Sequence, residues 1–177
     1  MARVGAFGLS AGGYTVLARV GGRAGASRVA THCTAEAATD AVFCAMARGG
    51  AQVSAATPDL PPPVTDPRVR AVVALAPLDA PLRADPLAGV PIPTLIYQAE
   101  QARFLVPRFH AGWIASHMSL ARVVRVPGAW HFMFMDMPTM PLPSPDGDID
   151  ANAPGFDRAA FLHRPGRALP TFFNRSW

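Results

Sequence analysis

The chain reads as an α/β fold built on a parallel sheet. Four short apolar runs, at residues 3–9, 69–76, 94–99 and 121–126, have the length and composition of strands. The stretches between them are long enough for crossover connections, which parallel strands require. A third observation is local. Gly8-Leu9-Ser10-Ala11-Gly12-Gly13 follows the first run directly and opens a helical pattern.

The elements follow in order. Residues 3–9 form a strand apolar enough to be buried on both faces, and residues 11–20 the next helix, ended by Gly21-Gly22. An alanine-rich helical excursion, at about 26–56, holds both cysteines within residues 26–47. Residues 57–63, rich in proline, form a stiff connector. The second and third strands come next, then a helix over 106–118. The strand at 121–126 alternates only partly, which suits the outside of a sheet. A last helix opens at 155–163, and Pro165 and Pro170 are expected to break it into pieces. There is no internal repeat.

Composition bounds the function. A chain of 177 residues makes one domain with a real core, and 50% hydrophobic against 16% charged residues excludes disorder. The net charge is +4, carried by arginine with no lysine, which reads as nucleotide-composition bias in a GC-rich genome. The arginines are scattered singly, without an aromatic stripe, so no nucleic-acid partner is expected. No apolar run is long enough for a membrane span, and no signal-peptide pattern opens the chain. Cys33 and Cys44 suit either a short disulfide loop in an oxidising compartment or two buried thiols. His32 beside Cys33 lacks a second ligand cluster, so no metal is expected.

Gly-x-Ser-x-Gly between a strand and a helix is a nucleophile elbow. A tight turn presents the Ser10 hydroxyl, and Gly8 and Gly12 are expected to leave room for the chains to cross. The Ala11 N–H, at the helix N-terminus, can help hold a developing oxyanion. The plainer alternative is an N-capping serine in a glycine-rich turn. Ser10 needs a base, and His131 follows the fourth strand, where open α/β sheets place their chemistry. His110 and His117 fall on the expected helix as surface or packing residues, His32 lies in the excursion and His163 in the last helix.

Several pieces together resemble the C-terminal half of a serine-type dienelactone hydrolase-like protein of the α/β-hydrolase superfamily. They are the elbow, Asp66-Pro67-Arg68-Val69-Arg70-Ala71-Val72-Val73, Tyr97-Gln98-Ala99-Glu100, Val126-Pro127-Gly128-Ala129-Trp130-His131-Phe132 and Gly155-Phe156-Asp157-Arg158-Ala159-Ala160-Phe161. They stand in order across nearly the whole chain. The resemblance implies a partial α/β-hydrolase fold whose N-terminal strands are missing. It implies Ser10 as nucleophile, His131 as base, a small ester or lactone as substrate, and no cofactor or metal. It also implies that Cys33 and Cys44 belong to an excursion often disulfide-linked in exported relatives; bacterial cytoplasmic and periplasmic or secreted locations both stay open.

The chain departs from that family at named positions. Ala102 stands where the family carries its acid, which leaves Asp79, after the second strand, and Glu100, at the end of the third, as substitutes. Trp130 replaces the glycine expected before the histidine and is expected to crowd the site. The missing strands would leave the first strand as an exposed edge, through which the chain could self-associate. The rival expectation is an inactive truncated remnant or a partner-dependent module. Residues 132–137 read as packing rather than an acyl pocket, and residues 146–152 as a solvated acidic loop rather than a calcium site.

Overall fold

A computed structural model describes residues 3–49, 61–79 and 81–176. Four strands, β1 (Val4–Leu9), β2 (Val69–Leu75), β3 (Thr94–Ala99) and β4 (Ala121–Val126), form one parallel sheet in the order β1-β2-β3-β4. All four coincide with the apolar runs of the sequence to within a residue.

Because the order is sequential, right-handed crossovers place every connecting helix on the same face. That face is filled from α1 (Ala11–Ala18), α4 (Ala84–Ala88) and α5 (Ala111–Ser116), whose Leu17, Leu87 and Ile114 pack on Val72, Ala74 and Ile96. The opposite face, with Val73, Leu75, Leu95 and Tyr97, takes Phe161, Leu169, Phe172 and Phe173 of α6 (Arg158–Arg175). The sheet is therefore a layer with helices on both sides.

Helix α6 runs unbroken through Pro165 and Pro170, against expectation. A proline inside a helix removes a hydrogen bond and costs about 3 kcal/mol. Burial of the apolar residues on one face of α6, together with the Asp157 side chain capping Ala160 N–H at 2.9 Å, outweighs that local cost.

The excursion is two helices, α2 (Ala26–Ala35) and α3 (Ala41–Gly49), tied by a disulfide between Cys33 and Cys44. Phe43 and Cys44 pack with Leu78, Phe104 and Leu105, residues that follow the carboxyl ends of β2 and β3. The excursion thus covers the end of the sheet where the loops gather. Residues 50–56 of it and 57–60 of the expected connector lie outside the described residues. The helix expected at 106–118 is a 3-10 turn, Pro107–Phe109, followed by α5.

β1 pairs only with β2 among the described residues, and its Val4 and Phe7 side chains are exposed, Phe7 by 52%. The expectation of burial on both faces is corrected: apolar composition alone does not bury a strand that lacks a neighbour and a cover. β4, the other edge, exposes Val123 and Val124. Among the described residues no helix is long and apolar enough to cross a membrane.

Candidate functional site

Ser10 stands where β1 turns into α1, with φ 58° and ψ −119°. Few non-glycine residues adopt positive φ, and such backbone costs on the order of 1–3 kcal/mol. The turn is held on both sides. Ser10 N–H donates to the Leu75 carbonyl at 2.9 Å, and the Ser10 carbonyl accepts from Tyr14 N–H and Leu78 N–H at 3.2 and 3.1 Å. The Ser10 side chain makes no capping hydrogen bond, so the N-cap reading of this serine fails. Ala11 opens α1, where N–H groups have no partner within the helix.

The glycines divide differently from expectation. A Cβ on Gly8 would stand 2.2 Å from the Gly12 carbonyl oxygen, and one on Gly13 would stand 2.8 Å from Pro77 Cβ. A Cβ on Gly12 would meet nothing within 4 Å. The close approach is therefore made at Gly8 and Gly13, with Gly12 contributing only its backbone.

His131 lies past the end of β4, in a 3-10 turn (His131–Phe134), and is fully buried. Its ring is flanked by Phe104 and Phe132, with centroids 4.9 and 4.7 Å away. Neither ring nitrogen has a hydrogen-bond partner. Burial, and secondarily the charge of His110, push its pKa down to about 3. Ser10 and His131 both sit beyond carboxyl strand ends, after the two outer strands of the sheet, β1 and β4. No hydrogen bond joins them.

Neither expected acid reaches His131. Asp79 is buried, its Oδ1 has no partner, and burial, opposed in part by Arg28, pushes its pKa up to about 8. A carboxyl that is neutral at pH 7 cannot stabilise an imidazolium. Glu100 is exposed at the end of β3. Ala102 is a core residue, packed with Ala99, Val126 and Met133.

A cluster absent from the sequence reading lies beside Asp79. The Asp40 carboxylate Oδ2 stands 2.7 Å from His32 Nε2 and 3.0 Å from His110 Nε2, and Asp79 N–H donates to His110 Nδ1 at 3.1 Å. With Nδ1 accepting, His110 carries its proton on Nε2 and donates it to Asp40. Burial opposes ionisation of Asp40, but His110, then His32, outweigh it and hold the carboxyl below its usual value. Burial lowers the pKa of His110, against the pull of Asp40. His110 is thus a buried network residue rather than a surface one. His32 and Asp79 also line a cleft of about 290 Å³ with Arg28, Phe109 and Trp113, the Arg28 guanidinium lying 4.4 Å from the Trp113 ring centroid. No local sequence signal marks this cluster, because His110 lies 70 residues from Asp40.

The acidic stretch after residue 145 is not simply solvated. Asp146 is fully buried. Its Oδ1 accepts from Arg103 N–H and Phe104 N–H, both at 2.6 Å, and its Oδ2 from His131 N–H at 2.7 Å. Arg103 also donates its guanidinium to the Asp146 carbonyl. The Trp130 indole packs on Gly147, where a Cβ would lie 2.3 Å from the ring, so its bulk is taken up by this loop. Of residues 132–137, Met133 and Phe134 are core, while Met135 and Met137 are exposed. Among the described residues no group of three or more His, Cys, Asp or Glu side chains is arranged to hold a metal ion. No family model, curated protein or solved structure matches the chain, so its chemistry rests on these residues themselves.

Proposed function

We propose that this chain is a serine-type hydrolase of carboxylic esters or lactones, similar to dienelactone hydrolases, on a partial α/β-hydrolase fold. The backbone of Ser10 carries the proposal. A serine held at positive φ, without a hydrogen bond to cap its helix, between the end of β1 and a helix N-terminus, is arranged to present its hydroxyl rather than to build the turn. Ser10 Oγ would attack the carbonyl of a small ester or lactone, Ala11 N–H would hold the developing oxyanion, and His131 would take the serine proton and return it to the leaving oxygen. Water would then release the acyl group. This chemistry calls for no metal or organic cofactor.

A fluorophosphonate probe tests the nucleophile. It should label the intact chain and fail on Ser10→Ala, and labelling that survives the substitution would remove Ser10 from the role.

One observation favours a second reading, an inactive remnant or partner-dependent module. A base must accept a proton near the working pH. His131, buried without a partner and held at about 3, accepts one poorly. Under that reading the chain shows no labelling and no ester turnover, alone or at raised concentration.

A further inference from the structure

Asp146 takes no part in the reaction as drawn above, yet it bonds both loops in which an acid and a base are expected. Through Oδ1 it holds Arg103 and Phe104, in the loop after β3, and through Oδ2 it holds the main chain of His131, after β4. We propose that Asp146 is the carboxylate that orients His131, in the role that Ala102 leaves empty. It is a positioning residue, and its catalytic meaning rests on the hydrolase reading.

The geometry carries this in three steps. First, Oδ1 has two N–H donors while Oδ2 has one, so Oδ2 keeps a lone pair for a further donor. Second, the imidazole Nδ1 is tied to its own backbone nitrogen through Cα, Cβ and Cγ. A carboxylate oxygen already seated on that N–H lies within a rotation of the His131 side chain. Third, both ring nitrogens are buried and unpaired, which is unfavourable for the donor among them. Turning Nδ1–H to Asp146 Oδ2 satisfies it, selects the Nδ1–H tautomer and leaves Nε2 as the proton acceptor.

The other carboxylates around the site do not compete. Asp79 belongs to the cleft with Arg28, Asp40 is shared between His32 and His110, and Glu100 is exposed. His110 is the neighbouring titratable group whose charge bears on His131, and its Nδ1 is occupied by Asp79 N–H. Phe104, whose main chain Asp146 also holds, stacks on the His131 ring and limits the positions that the ring can take.

The test is nitrogen NMR of the full chain with labelled histidine, read for the tautomer of His131 near neutral pH. The Nδ1–H form is expected in the wild type and the Nε2–H form in Asp146→Asn. An Nε2–H wild type overturns the proposal without any variant, so a poorly folding Asp146→Asn does not protect it. The same wild-type ring in Asp146→Asn also overturns it. In turnover, Asp146→Asn should lower kcat by about 10²–10⁴ and leave KM within about two-fold, by the effect of losing the orienting carboxylate. Fluorophosphonate labelling of Ser10 separates the two readings. Labelling with an Nε2–H ring sinks the role of Asp146 alone; an Asp146-dependent Nδ1–H ring without labelling supports the pairing and sinks the hydrolase.

Discussion

Asp40 Oδ2 and His110 Nε2, 70 residues apart in sequence, lie 3.0 Å from each other with both side chains buried. His32 shares the same oxygen at 2.7 Å. This pins the disulfide-tied excursion to the segment before α5. Asp40→Ala leaves two imidazoles without their acceptor, one fully buried. It should lower the unfolding free energy by roughly 2–4 kcal/mol, as expected for breaking a buried charge-assisted network. Denaturant titration measures this, and a loss below about 1 kcal/mol would show that the network is ornamental.

The elbow glycines make a graded series. Gly8→Ala drives a Cβ into the Gly12 carbonyl, and Gly13→Ala drives one into Pro77. Each should cost about 2 kcal/mol or more, because backbone must shift to admit it. Gly12→Ala meets open space inside a helix and should be neutral or stabilising by about 0.5–1 kcal/mol. Equal costs at Gly8 and Gly12, measured by thermal or chemical unfolding, would contradict the turn geometry.

Two buried groups set opposing pH slopes. Asp79, raised from 3.8 to about 8, makes the folded chain bind more protons than the unfolded chain across that window, so stability falls as pH rises through it. His131, lowered from 6.5 to about 3, makes the unfolded chain bind more, so stability falls as pH drops through its window. The slopes oppose each other between about pH 4 and 6.5, and Asp79 acts without that opposition from 6.5 to 8. Asp79→Asn should therefore flatten the upper limb, with a relative gain of about 1–2 kcal/mol between pH 6.5 and 8. Melting temperatures of both chains across pH 4–8.5 decide it; parallel curves would place Asp79 in solvent.

The open side of β1 should mediate self-association. Among the described residues no strand pairs with that side, Phe7 is exposed, and neither proline nor charge within Val4–Leu9 blunts the edge. Sedimentation velocity should show concentration-dependent dimers or larger species, reduced by Phe7→Lys. A monomer at every concentration would mean that this edge is protected in solution.

The strands were legible in the sequence because each is a local apolar run bounded by turn residues, and the parallel sheet followed from the lengths between them. The elbow was legible because Gly-x-Ser-x-Gly after a strand is a local backbone requirement. What the sequence left open depended on contacts between distant residues. Cys33 and Cys44 suited two outcomes until α2 and α3 were packed together. Pro165 and Pro170 argued for breaks, and only the apolar face of α6 against the sheet overruled them. Asp146 read as part of a solvated acidic loop and Asp40 carried no signal of its own, because nothing within a few positions shows that the His131 main chain or His110 will meet them. Local patterns determine which elements form; burial and long-range hydrogen bonds decide which polar side chains are enclosed with them, and those enclosed groups define the candidate site.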